Sequence, residues 1–315
     1  MNLFKTSFRT ALAAAALTLL AACGSDDSSE PKPTLNIVQT AQSDPRFSIL
    51  VEAVGMADLA GTLSGPGPFT VFAPTDDAFA ALLVELGITK ADLLSNKALL
   101  TTVLTYHVLP QEVRKAQVPL GKAITTVEGN IFKVDSVGTD LLITDGRNRT
   151  SKIVEADLLA TNGVIHAIDK VILPPNLNIV ETALANPDFS ILVEAVVAAN
   201  LQDALSAPGP LTVFAPTNAA FAALLTELSL TKEQLLANVP LLTKVLTYHV
   251  VDGRVLKADV PVGAPITTLE GETFTVDASL AIADQNGRSA KIVATDVMTK
   301  NGVIHVIDKV ILPKL

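Results

Sequence analysis

NGVIHVIDKVILP, residues 301–313, stands a second time at residues 162–174 as NGVIHAIDKVILP, the two copies differing only at Ala167 and Val306. Each copy has strand character. Val303, His305 and Ile307 alternate with Ile304, Val306 and Asp308, so both faces are largely apolar, the pattern of a strand buried on both sides. Asn-Gly at the start is a turn signal and the proline at the end is read as closing the strand. Such a strand belongs at the centre of a domain, and its repetition predicts a duplicated unit.

Outward from this stretch the duplication continues. LNIV at 35–38 returns at 177–180, FSILVEAV at 47–54 returns at 189–196, TVFAPT at 70–75 at 212–217, and VLTYHV at 103–108 at 245–250. These pairs lie 142 positions apart and the final pair 139, so three residues are missing from the second copy between Val276 and Asp284. A loop or strand end absorbs such a deletion most easily. Two domains are expected, 34–174 and 175–313, each long enough to bury its own core. Only Pro174-Pro175 joins them, a short stiff linker that should hold the two nearly in contact.

Within each copy the pattern reads helix, strand, helices, then several strands, an α+β arrangement. The Gly65-Pro66-Gly67-Pro68 turn precedes a strand at Thr70–Ala73. Thr75 caps a helix with Asp76 and Asp77 in its first turn and Phe79, Leu82, Leu83 and Leu86 as its apolar stripe. Thr231–Gln234 has capping-box spacing and Thr89–Asp92 nearly matches it, and Leu99, Leu100, Val103 and Leu104 form another helical stripe. Later segments alternate, as in Phe132 and Val134, Leu142 and Thr144, Ile153 and Glu155. Asp145-Gly146 and Asn286-Gly287 read as hairpin turns.

Hydrophobic residues make up 49% of the 315 positions and aromatics 4%, with no Trp, so the cores must be built from Ala, Val, Leu and Ile. The formal charge is −9. That balance argues against nucleic acid and against electrostatic docking on anionic lipid.

The N-terminus carries Lys5 and Arg9, then an apolar run at Ala11–Ala22 too short to span a bilayer, which reads as a signal peptide over residues 1–22. The run ends in Leu20-Ala21-Ala22-Cys23, which resembles the bacterial lipobox, and Cys23 is the sole cysteine. The resemblance implies cleavage before Cys23 and its acylation. Gly24 in place of Asp implies no retention in the inner membrane, so the expected location is the cell envelope, in the outer membrane or at the cell surface. Residues 23–33, polar and punctuated by prolines, read as a tether.

Candidates for chemistry are few. His107, His166, His249 and His305 occupy matched positions in apolar text, without metal-ligand spacing or an accompanying acidic cluster. They read as core or strand-end histidines satisfied by hydrogen bonds. Asp169 and Asp308, beside Lys170 and Lys309, read as a paired acid or an exposed turn end. No Gly-x-Ser-x-Gly, His-Glu-x-x-His or P-loop occurs. The reading is of no enzyme, cofactor or metal, and the duplication suits a binding array. A deep pocket lined by histidine and carboxylate would instead favour a hydrolase.

TVFAPT followed by Phe79 or Phe221, the central Tyr-His, and the closing NGVIHVIDKVILP resemble the three signature blocks of the fasciclin domain, over residues 34–313. The resemblance implies two tandem domains, each a β-sandwich or wedge flanked by α-helices, secreted or membrane-tethered, acting in adhesion to a cell-surface or matrix protein or glycan. It also maps an adhesive Tyr-His segment onto Tyr106-His107 and Tyr248-His249, the only tyrosines in the chain. An Asp-Ile motif of the same kind falls on Asp157-Leu158 and Asp296-Val297, with the Ile replaced in both. For the Tyr-His pairs two roles stand open: contact with a ligand, or hydrogen bonding inside the fold. An envelope module that binds a glycan or small molecule without adhesion is the alternative function.

Overall fold

The computed structural model describes residues 32–314. The signal peptide, Cys23 and most of the tether lie outside the described residues. The first copy contains helices α1 (Ile37–Ser43), α2 (Ser48–Met56), α3 (Ala60–Ser64), α4 (Asp76–Leu86), α5 (Lys90–Ser95) and α6 (Lys97–Tyr106). Its strands are β1 (Phe69–Pro74), β2 (Val108–Leu109), β3 (Ile124–Thr125), β4 (Ile131–Val137), β5 (Asp140–Thr144), β6 (Thr150–Ala160) and β7 (Gly163–Ile168). The second copy repeats the order with α7 (Ile179–Leu184), α8 (Ser190–Ala198), α9 (Gln202–Ser206), α10 (Asn218–Leu228), α11 (Lys232–Ala237) and α12 (Val239–Tyr248). Its strands are β8 (Leu211–Pro216), β9 (Val250–Asp252), β10 (Pro265–Thr267), β11 (Thr273–Val276), β12 (Ala281–Ala283), β13 (Ser289–Thr299) and β14 (Gly302–Ile307).

Each copy forms one seven-stranded sheet, ordered β2-β1-β7-β6-β5-β4-β3 in the first. β1 and β7 run parallel and β6 and β7 antiparallel. The two ends of the sheet curl toward each other: just beyond β3 the Val127 amide donates to the Val108 carbonyl of β2, at 2.8 Å. The sheet is therefore nearly closed, and the strand predicted to be buried on both faces lies inside it. On β1, Val71 and Ala73 face the helices while Phe72 faces the sheet interior. On β7, Ile165 and Ala167 face the helix layer and Ile168 the interior. A helix layer on one side and a filled wedge on the other explain why every residue of β7 is buried.

The capping assignments hold. Thr75 accepts from the Ala78 amide, and Thr89 and Thr231 each complete a capping box. The missing residues fall in the β11–β12 hairpin, whose strands have 4 and 3 residues against 7 and 5 in β4 and β5. Three details differ from the sequence reading. β7 ends at Ile168 rather than at Pro174, because Asp169 turns the chain and accepts the Lys152 amide at 2.7 Å. Leu86 is exposed at the end of α4. On β5 the inward residues are Leu141 and Ile143, not Leu142. Asp145-Gly146 lies, as read, in the turn of a hairpin, the one that joins β5 to β6. Asp145, 1% exposed, gathers the amides of Arg147, Arg149 and Leu173 and the Arg149 guanidinium, so its side chain organises a wider loop.

The Asn-Gly turn before β7 has a structural reason for both residues. Asn162 accepts the Ile37 amide and donates to the carbonyls of Leu63 and Gly65, pinning α1 and α3 to the sheet. Gly163 has φ 151°, and a Cβ there would overlap the Phe69 carbonyl of β1. Asn301 makes the same bonds in the second copy, and a Cβ on Gly302 would overlap the Leu211 carbonyl.

The copies share one compact body from Pro33 onward. Each has its own helix-side and wedge cores, and a further cluster joins them: Ile131 from the first with Leu256, Met298 and Val303 from the second. The Asn148 amide pairs both ways with the backbone of Met298, at 2.7 and 3.3 Å. The Lys133 ammonium reaches Asp296 at 2.8 Å, with Asp135 at 3.1 Å. Pro174 and Pro175 are themselves buried, and Pro175 lies against Gly146.

Candidate functional site

The Tyr-His pairs sit where α6 and α12 meet β2 and β9. Both tyrosines are fully buried, and the Tyr106 hydroxyl donates to the Ile131 carbonyl at 2.7 Å, as Tyr248 does to Thr273 at 2.8 Å. Each ring packs edge-on against a phenylalanine of the wedge core, Phe132 or Phe274. Burial pushes both phenols up from their ordinary range.

His107 and His249 close the helices. Nδ1–H of His107 donates back to the Val103 carbonyl at 2.7 Å, and its Nε2 accepts the Ile172 amide at 3.1 Å. His249 repeats this with Val245 and Ile311. The partners fix the neutral tautomer, since one ring nitrogen must donate and the other accept. Burial pushes both imidazoles down to about 4, against the Val103 and Val245 carbonyls, which favour the charged form. A partner outside the protein cannot touch these four side chains in the folded chain, which leaves them the hydrogen-bonding half of the alternative.

A pH dependence follows. Above the unfolded value near 6.5 both states hold the imidazoles neutral. As pH falls below it, the unfolded chain takes up protons first, and stability drops until the folded value of about 4 is passed. The two sites together should remove about 2.7 kcal/mol per pH unit in that window. Denaturant titrations from pH 7 to pH 4 on wild type and on His107→Gln/His249→Gln measure it. A variant with the same pH slope as wild type would rule the assignment out.

Asp157 and Asp296 occupy a break in strand register, each with positive φ, 63° and 61°. The break frees one amide, and a second buried histidine takes it: Asp157 N–H donates to His166 Nδ1 at 3.2 Å and Asp296 N–H to His305 Nδ1 at 3.3 Å. Burial holds both these imidazoles below their ordinary value. Each carboxylate also anchors a turn from earlier in the chain, Asp157 by accepting the Lys115 amide and Asp296 by accepting the Lys257 amide. The two differ in surroundings. Asp157 is exposed, whereas Asp296 is 4% exposed and carries the Lys133 contact.

The joint between the copies brings together residues that sequence reasoning passed over. Arg254 and Lys300 line a cleft of ≈ 520 Å³ formed by Asn130 and Gly129 of the first copy and by Glu181 and Ser206 of the second. Their counterparts 142 and 139 positions earlier are Glu112 and Thr161. Matching blocks draw the eye to identity; these residues show only when the copies are compared for what differs. Among the described residues no group of three or more His, Cys, Asp or Glu is placed to hold a metal ion, and no helix is long and apolar enough to cross a membrane.

The protein-family model named Fasciclin domain matches residues 45–174 and 187–313. Protein sll1483 of Synechocystis sp. is 49% identical over 145 residues, covering 45% of this chain and 74% of that protein. The transforming growth factor-beta-induced protein ig-h3 of Oryctolagus cuniculus is 32% identical over 253 residues, 80% of this chain but 35% of its own length. A solved FAS1 domain pair from the insect cell adhesion molecule fasciclin I is 18% identical, covering 87% of this chain and 95% of that one with a TM-score of 0.43. With the family model matching both copies in register, the chain belongs to the fasciclin domain family and carries two of its domains in tandem.

Proposed function

We propose that the chain is a non-enzymatic envelope lipoprotein whose paired fasciclin domains make adhesive contact with a protein or glycan of a cell surface or matrix. The observation that carries this reading is the alignment of both domains together with ig-h3, over 253 residues, rather than one domain at a time. Fasciclin domains are generally not enzymes, and the histidines that a hydrolase would need are committed to backbone partners on both ring nitrogens. The domain boundaries proposed are 34–174 and 175–313; Ile37 and Ala41, ahead of the family match, are buried in the first core. Cleavage after residue 22 and acylation of Cys23 would leave residues 23–33 as the tether to the outer membrane or cell surface, with two or more acyl chains giving stable attachment.

Of the six residues mapped from the adhesive motifs, Asp157 alone is exposed, and it is the one proposed to meet a partner. The test is attachment of cells carrying the chain to matrix-coated and cell-coated surfaces. Attachment should exceed that of cells lacking the chain, and Cys23→Ser should release the protein and abolish it. Attachment equal to the control would sink the adhesive reading. Undiminished attachment with a soluble Cys23→Ser protein would sink the anchor.

A further inference from the structure

The cleft between the domains holds a cation that the fold does not use. The Arg254 guanidinium is half-buried, and its Nε is sealed from solvent without a hydrogen-bond partner. Among the described residues no carboxylate pairs with it, and burial holds its pKa below the ordinary arginine value. Lys300, exposed on the same cleft, also makes no ion pair among the described residues. Holding a guanidinium partly out of water with nothing opposite is unfavourable, and is relieved when an anion arrives. In a chain of net charge −9, two cations facing one concavity are a local exception that focuses anions there.

The rest of the lining narrows the ligand. A guanidinium fork matches a carboxylate bidentately. The lining residues include no aromatic ring, so hydrogen bonds and charge must supply the affinity. Asn130 and Ser206 offer polar side chains, and Glu181 turns a carboxylate to the same cleft, one oxygen of which holds the Asn178 amide at 2.8 Å. A carboxylate beside the two cations accepts from hydroxyl groups and disfavours a multiply charged anion such as phosphate. The volume, ≈ 520 Å³, falls within the usual range for small-molecule sites and at the usual place, a domain interface. We propose that this cleft binds a uronic-acid residue of an acidic glycan, its carboxylate on Arg254 and Lys300 and its hydroxyls on Glu181, Asn130 and Ser206.

This assignment rests on the reading of the chain as a binding module and names its ligand class. The test is calorimetric titration of the full chain in mild detergent with a galacturonate trimer, a neutral galactose trimer and inorganic phosphate. The uronate alone should bind saturably, and more weakly as salt is raised. Arg254→Gln should weaken it by at least about tenfold with the melting temperature kept. Should Arg254→Gln fail to fold, Lys300→Gln, an exposed change, must weaken binding instead. No uronate binding, equal binding of the neutral trimer or of phosphate, or unaltered affinity in the variants would each overturn the assignment. None of those results would touch the attachment of whole cells, which judges the adhesive reading separately.

Discussion

Lys133→Met is expected to destabilise the folded chain by roughly 3–5 kcal/mol, the usual cost of removing one partner from a buried ion pair. Asp296 is the reason. Its side chain is 2% exposed, and Lys133, itself 13% exposed, is the one cation paired with it among the described residues, at 2.8 Å. Asp135, the other acid on Lys133, is 41% exposed and stays solvated when the ammonium goes. The double variant Lys133→Met/Asp296→Asn should regain most of the loss, because an asparagine oxygen still accepts the Lys257 amide and no charge is left stranded. Equilibrium denaturation of the four proteins of the cycle measures it. A single variant within about 1 kcal/mol of wild type, or a double variant no better than the single, would show that the pair does not hold the joint.

The second large effect is expected from His249→Ala. The change strips the Val245 carbonyl of its donor at 2.7 Å and the Ile311 amide of its acceptor at 3.2 Å, both buried. At about 1–3 kcal/mol for each unsatisfied group, the loss is roughly 2–6 kcal/mol. It also enlarges the apolar space beside the ring, where Leu246, Val250 and Val213 line a cavity of ≈ 80 Å³. Attachment of cells, measured where the variant is still folded, should be unchanged, since the ring never reaches the surface. A variant that melts like wild type but no longer attaches would reverse this account and return the ring to the ligand.

Much of this was legible because the chain states its fold twice. The paired blocks located the helices, caps and buried strand, and the matched histidines in apolar text announced a hydrogen-bonding role. What escaped is set by contacts distant in sequence. The end of β7 depends on Asp169 reaching the Lys152 amide of the neighbouring strand, and no local pattern marks it. The phase of β5 was misread because Leu141 and Leu142 are equally apolar, so alternation could not say which points inward. The register break at Asp157 and Asp296 needs αL backbone and a histidine nine residues later, a pairing visible only across the hairpin. The cleft was hidden for another reason: Arg254 and Lys300 are ordinary surface cations until the domains meet around them.

The two domains look interchangeable in sequence, yet the joint is built from residues at which they disagree. Ile131 and Lys133 of the first domain stand where the second has Thr273 and Thr275, and Asn148 stands where it has Gly287. Leu256, fully buried in the joint, is matched by Arg114 in the first domain. A chain assembled in reverse order would set two threonines against an arginine, with neither the apolar plug nor the ion pair. Nor could a third copy of either domain extend the pair at its free ends on the same terms. Order and number are therefore written into the contact faces: the duplication has diverged from a repeat into a left half and a right half.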